Sequence, residues 1–301
     1  MDLPIKSSIS QIGETQWLIG HDHICELQDS SPLHDDILYH WRDPLGRTFQ
    51  VRCTSSIPAT IPIPIQPFYS AGTSAAVWEF AGLIWKVKSW VPDVEDEAQT
   101  IGFVKDTFPT IPVPEIICHW TEVSGKRSFM AMKRAPGETS DASWCDLSDS
   151  ERKTVASDLA DYTLLMADVR RDALESVSGL GVTDAFIQPD SWHLPTFRLE
   201  IDEAKGYFQP LNIDGGFVFT HGDLNPGNLL IDKGKITCIL DWEFAGFFPK
   251  WWINYKARIH AMSLSNCEPS NAWIDAIRSE LEIRGIVLDF ERYNEWACKR
   301  K

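Results

Sequence analysis

The stretch FVFTHGDLNPGNLLIDKGKITCILDWEF, Phe217 to Phe244, decides how the chain is read. Two apolar runs flank the polar knot THGDLNPGN, in which Pro226 and Gly227 require a turn. Leu229–Asp232 and Lys235–Leu240 should pair as a hairpin around Lys233-Gly234, with Gly where a positive φ is wanted. If Asp232 pairs with Lys235, Asn228 lies opposite Ile239 and Asp241 sits two residues beyond. Strand alternation then puts Asn228 and Asp241 on one face as diagonal neighbours. An amide oxygen and a carboxylate converge at the open end of the hairpin. Hard oxygen donors of this kind suit Mg²⁺, which takes few protein ligands and fills its shell with water and phosphate. Asp223, on the loop just before, could orient a hydroxyl beside such a phosphate and accept its proton. For each residue taken singly, an Asp or Asn that caps a local turn is the alternative.

Working outward, the chain has 301 residues, 44% hydrophobic and 24% charged, the composition of an ordinary globular protein. Its longest apolar runs fall far short of the roughly 20 residues of a membrane span. The start, MDLPIKSSIS, lacks the apolar centre of a signal peptide, which points to the cytoplasm. The formal net charge of −15 argues against nucleic acid and anionic membrane as partners, since both call for a basic surface. An acidic field favours a cationic small molecule; simple solubility is the other reading. Seven scattered cysteines with no CxxC read as reduced thiols, without a disulfide frame or zinc site. His21 and His23 form the one close histidine pair, read as a polar surface turn, with metal binding as the other reading.

The order of elements divides the chain. ILYHWRDPLGRTFQVRC (37–53) reads as a β-hairpin turned at DPLG. The proline-rich SSIPATIPIPIQP after it reads as an extended connector. SAAVWEF (74–80) and LIWKVKSW (83–90) read as strands joined at Ala81-Gly82, followed by a helix over 93–107 and two strands in IPVPEIICHW and SFMAMKRA. A capping box at Ser148–Glu151 opens a helix expected over about 149–172, with Val155, Leu159, Tyr162, Leu165 and Val169 on its apolar face. A second amphipathic helix is expected over 271–284, stopped by Gly285. The boundaries expected are an N-terminal extension with a hairpin (1–66), a sheet-rich lobe (67–136) and a helix-rich lobe (137–301).

HGDLNPGN matches the kinase-type catalytic loop H-x-D-x-x-x-x-N, and ILDWE resembles the metal-binding Asp segment that follows it. With Gly222 after the His and Trp-Glu after the second Asp, the set resembles the aminoglycoside phosphotransferase and choline kinase-like family over roughly residues 68–260. The DFG and APE elements of protein kinases are missing. The resemblance implies an α+β, two-lobed protein-kinase-like fold, with a small antiparallel N-lobe sheet and a mainly helical C-lobe. It implies ATP and Mg²⁺ as cofactors and a small-molecule hydroxyl as phosphate acceptor. Asp223 is then catalytic, and Asn228 and Asp241 are the metal ligands. Lys86 holds the α- and β-phosphates, although Lys88 shares its strand face, and Glu97 holds the lysine. SAGTSAAVW (70–78) takes the place of the phosphate-covering loop through Gly72, Thr73 and Ser74. FMAMKRAPGE (129–138), containing Met132, resembles the hinge whose backbone touches adenine. His221 buttresses the loop, and Asn225 contacts phosphate or base, or caps the turn before Pro226. The single glycine in 70–78 keeps an inactive nucleotide-binding module open as the alternative, beside a protein kinase.

Overall fold

A computed structural model describes residues 4–28, 37–54, 61–184, 187, 196–213, 215–259 and 272–299. The chain forms two compact units, Met1–Pro92 with Pro114–Arg134, and Asp93–Val113 with Ala135–Lys301. Sheet dominates the first and helix the second, as the α+β kinase-like reading requires.

The first unit holds two antiparallel sheets. One contains β1 (Ile9–Gly13), β2 (Gln16–Ile19), β3 (His23–Leu27), β4 (Ile37–Arg42), β5 (Thr48–Cys53) and β6 (Ile63–Pro64), in the order β4-β5-β3-β2-β1-β6. The expected hairpin is β4–β5, and Asp43 stabilises its turn by accepting from the Leu45 and Arg47 amides. Before residue 37, where no strand is expected from the sequence, β1 to β3 extend that hairpin into a full sheet. Among its described residues the proline-rich connector contributes β6, at a sheet edge, where a missing N–H breaks no ladder. The other sheet contains β7 (Tyr69–Ala71), β8 (Ala75–Phe80), β9 (Leu83–Ser89), β10 (Ile116–Glu122) and β11 (Arg127–Met132), in the order β10-β11-β9-β8-β7. One core joins both sheets: Ile9, Trp41 and Phe49 pack with Trp78, Trp85 and Phe129. Inside it Trp41 donates to the Ala81 carbonyl at 2.8 Å, which satisfies the buried indole.

In the second unit α1 (Glu97–Thr107) begins four residues later than expected, because Asp96 caps it by accepting from the Ala98 amide. Phe103 and Phe108 from this helix segment lie against Phe219. β12 (Glu138–Thr139), the single turn α2 (Ser140–Ser143) and α3 (Asp149–Ala167) follow, α3 opening on the Ser148–Glu151 capping box. α3 ends five residues before the expected 172, because Arg170–Arg171 form β13 instead. Its buried face is Val155, Ala156, Leu159, Ala160, Thr163 and Met166, and the expected core residue Leu165 is exposed. Small alanines carry that face, where the sequence reading looked for large side chains. Then come β14 (Ala173–Leu174), β15 (Leu199–Glu200), α4 (Ile201–Tyr207), β16 (Phe217–Thr220), β17 (Leu229–Asp232), β18 (Lys235–Ile239) and β19 (Gly246–Phe248). The unit closes with α5 (Lys250–Ile259), α6 (Ala272–Ile283) and α7 (Phe290–Cys298). α6 buries Trp273, Ile274, Ile277 and Leu281 and ends before Gly285 at φ +78°, as the sequence predicts.

Cys145 is disulfide-bonded, which corrects the expectation that every cysteine is reduced. Among the described residues no helix is long and apolar enough to cross a membrane.

Candidate active site

The segment with the H-x-D-x-x-x-x-N pattern starts where β16 ends. Its four residues are all buried between β13 and β19, so the strand delivers His221 into the interior. There the imidazole bridges two backbone segments. Nε2 donates to the Leu240 carbonyl at 2.9 Å, and Nδ1 accepts from the Asp223 amide at 3.1 Å. Burial holds its pKa below the usual histidine value, which suits this neutral, one-donor, one-acceptor role. Trp242 closes over the ring at 4.4 Å between centroids. His221 therefore braces the loop, as the resemblance implies.

Gly222 makes the turn possible. Its φ is +76°, and a Cβ there would stand 2.9 Å from the Phe244 carbonyl carbon and closer still to its oxygen. The chain then presents Asp223. Its Oδ2 accepts from Asn225 Nδ2 and from Asn228 Nδ2, both at 3.0 Å. Asn228 Nδ2 also reaches the Asp223 carbonyl at 2.9 Å. Asn225 caps the turn over Pro226–Asn228, its Oδ1 accepting from the Gly227 amide at 2.9 Å. Of the roles considered for Asn225, the structure displays the cap. Its grip on Asp223 is a further role that the sequence analysis missed, and an Asn two residues after the Asp was the only signal for it.

The hairpin reaches this place by a different register from the one expected. Asp232 does face Lys235, but an irregularity between Leu230 and Ile231 brings Leu229 opposite Ile239. Thr237 is the extra residue. Its hydroxyl lies within hydrogen-bond reach of the Pro136 carbonyl at 2.6 Å and the Leu230 carbonyl at 3.1 Å, contacts that favour the bulge. Asn228 consequently faces Leu240, whose amide donates to its carbonyl at 2.7 Å, and Asp241 is one residue beyond, not two. The diagonal-neighbour argument for Asn228 and Asp241 is thus corrected. The backbone there is a one-turn helix at Pro226–Asn228 and a left-handed Asp241 at φ +62°, ψ +63°. An Asp tolerates that conformation better than most residues.

Glu97, the first residue of α1, is buried in the second unit, and its Oε1 accepts from the Trp242 amide at 3.3 Å. Ile239 is tied to the Pro112 carbonyl through its own amide at 2.8 Å. The segment after the hairpin is thereby anchored on both sides of Asp241. These long-range bonds leave no local pattern in the sequence.

Five expected site residues lie in the first unit. Lys86 pairs with Val77 and Met130 across β9, and β9 buries Leu83, Trp85 and Val87 while Lys86 and Lys88 share the opposite, half-buried face. Gly72, Thr73 and Ser74 are exposed and form the turn from β7 to β8, where Ser74 donates its amide to the Ala71 carbonyl at 3.1 Å. Gly72 adopts φ +54°. Met132 is the buried last residue of β11, and the next amide, of Lys133, bonds to the Glu115 carbonyl at 2.9 Å. The second unit gathers Asp223, Asn228, Asp241 and Glu97.

Among the described residues no three His, Cys, Asp or Glu side chains cluster to hold a metal ion. The donors at the hairpin end are of another kind. With its NH₂ committed to Asp223, Asn228 offers an oxygen, and Asp241 supplies a carboxylate at the hairpin mouth. A cation that keeps waters and phosphate oxygens in its shell fits such a sparse set.

The phosphotransferase enzyme family profile matches residues 86–249, from Lys86 through the whole His221–Asp241 segment. No curated protein matches the chain. Among solved structures it is similar to the aminoglycoside phosphotransferase APH(3'')-Id from Streptomyces rimosus, at 17% identity and a TM-score of 0.49, covering 77% of this chain and 90% of that one. It is similar to a thermostable mutant of the aminoglycoside phosphotransferase APH(4)-Ia in ternary complex with AMP-PNP and hygromycin B, at 18% identity, TM-score 0.41 and the same coverage. The streptomycin–ATP–APH(2")-IIa ternary complex gives 12% identity, TM-score 0.45 and coverage of 77% and 79%. The profile spans more than half of the residues, and with the loop it covers laid out atom by atom the assignment is plain: the chain belongs to the phosphotransferase enzyme family.

Proposed function

We propose that the protein transfers the γ-phosphate of ATP, with Mg²⁺, to a hydroxyl group of a small molecule. The observation that carries this reading is the clasp on Asp223: two neutral amides hold one carboxylate oxygen, and the loop beneath is pinned by a buried histidine. A carboxylate fixed in this way has the orientation needed to align an acceptor hydroxyl and take its proton as the phosphoryl group departs. Asn228 and Asp241 would hold Mg²⁺, which when bound neutralises charge on the nucleotide phosphates. Glu97 and Pro112 keep the Asp241 segment in place through their bonds to Trp242 and Ile239. Lys86 is assigned to the α- and β-phosphates, the Gly72–Ser74 turn to covering them, and the backbone near Met132 to adenine. A small-molecule acceptor carrying positive charge suits a chain with net charge −15.

The test is ATP consumption by the purified protein with Mg²⁺, screened over aminoglycosides, other amines, sugars and alcohols. Acceptor-dependent ADP release is expected, greatest with a cationic acceptor whose KM rises with ionic strength. Nucleotide binding without turnover on any acceptor would favour an inactive nucleotide-binding module.

A further inference from the structure

Away from the phosphotransfer residues, three side chains of the first unit form a constellation that the proposed reaction does not use. His23 on β3 and Cys53 on β5 are direct cross-strand partners. Cys53 Sγ lies 3.7 Å from His23 Nε2. On the other side of the ring, Asp22 Oδ1 lies 2.7 Å from Nδ1, near enough for charge attraction although off the line of a hydrogen bond. His23 is buried, and its imidazole stacks on Trp120 at 4.4 Å and 24°. Trp120 is in turn stacked on Phe129. The Asp22 carbonyl accepts from the Thr54 amide at 2.7 Å, tying the residue before His23 to the residue after Cys53. The thiol itself is exposed. So a fixed imidazole, with a carboxylate on one side and an aromatic face beneath it, touches a sulfur on an exposed residue.

We infer that Cys53, His23 and Asp22 form an activated-thiol site that is selectively modified by soft electrophiles and hydroperoxides. The Cys53 proton passes to His23 Nε2, with the Asp22 carboxylate 2.7 Å from the other ring nitrogen. With a hydroperoxide, the thiolate pair attacks the terminal oxygen. An S–O bond forms and the O–O bond breaks. Sulfur is oxidised by two electrons to the sulfenic acid, and the peroxide oxygen leaves as hydroxide or alkoxide and is protonated. With iodoacetamide an S–C bond forms and iodide leaves. The other thiols offer a contrast. Burial pushes Cys118 and Cys238 up to about 12 and Cys25 well above the ordinary value, so these resist reaction. Cys298 is exposed and serves as the reference within the same chain.

The experiment is limiting alkylation of the full-length protein with iodoacetamide at pH 7, read by peptide mass spectrometry at each cysteine. A parallel sample takes hydrogen peroxide with a dimedone trap. An ordinary thiol is only a few per cent thiolate at that pH, and an activated thiolate is somewhat less nucleophilic, so the expected net gain for Cys53 over Cys298 is about tenfold. Asp22→Asn, at an exposed position, should cut the Cys53 rate several-fold and leave Cys298 unchanged. His23→Asn, with tryptophan fluorescence confirming its fold, should bring the two rates together. Dimedone should mark Cys53 ahead of Cys298. Equal rates at the two cysteines in the unaltered protein, or a Cys53 rate unmoved by Asp22→Asn, overturns the assignment.

Discussion

Replacing Gly222 by alanine tests whether the turn geometry places Asp223. Gly222 sits at φ +76°, where an L side chain costs about 1–2 kcal/mol. The new methyl would also overlap the Phe244 carbonyl, which is backbone and has no rotamer to escape into. Relief requires the 221–225 loop or the 242–244 turn to move by roughly 1 Å, and a shift of that size at reacting groups costs on the order of 10² in rate. Together the two effects destabilise by about 2–4 kcal/mol, or roughly 3–6 °C in Tm for a chain of this size. Gly72→Ala is the internal control. It has a similar positive φ but nothing within 4 Å of the added carbon, so it should lose only the strain, about 1 kcal/mol. The assays are thermal unfolding followed by tryptophan fluorescence, and kcat for acceptor-dependent ADP release. A Gly222→Ala protein as stable as Gly72→Ala, with unaltered kcat, would refute the reasoning that this close approach aims the carboxylate.

Further outcomes concern the proposed Mg²⁺ ligands and the buried histidine. Asp241→Ala should raise the Mg²⁺ concentration needed for nucleotide binding, with Asn228→Ala doing so less severely, since a neutral oxygen is the weaker ligand; identical Mg²⁺ titrations for both variants and the parent protein would remove them from the metal site. His221 is held below its usual pKa by burial, so the unfolded chain binds a proton more readily than the folded one. The folded state therefore keeps its full advantage above the unfolded value of about 6.5 and loses it as pH falls below that, down through the depressed folded value. Tm should drop more steeply from pH 7 to 5.5 in the parent protein than in His221→Gln; parallel slopes would show that His221 titrates as it does in the unfolded chain.

Local pattern made a large part of this molecule legible from sequence. DPLG at 43–46, Ala81-Gly82, the Ser148–Glu151 capping box and Gly285 each mark a turn or cap with its own chemistry, and each turn or terminus is found where expected. Asp223, Asn228 and Asp241 stood out because three polar residues at fixed spacing interrupt apolar strands. What stayed hidden depends on contacts distant in sequence. The bulge at Thr237 is tied to Pro136, 101 residues away, and the Trp242 amide to Glu97, 145 away. β1 to β3 are four or five residues long and mix Gln, Ser and His with the apolar positions, so no alternation announces them. Leu165 reads as core by its type and spacing, but the buried face of α3 runs through Ala156, Ala160 and Thr163 and leaves Leu165 exposed.

The central claim is that Asp223 acts in the chemical step while other residues hold the nucleotide. Its most direct test is Asp223→Ala in two assays on one preparation: ATP affinity with Mg²⁺ by titration, and the rate of acceptor phosphorylation. Loss of one positioned base predicts a fall of roughly 10²–10⁴ in kcat with ATP affinity nearly unchanged. Turnover at the parent rate would contradict the account.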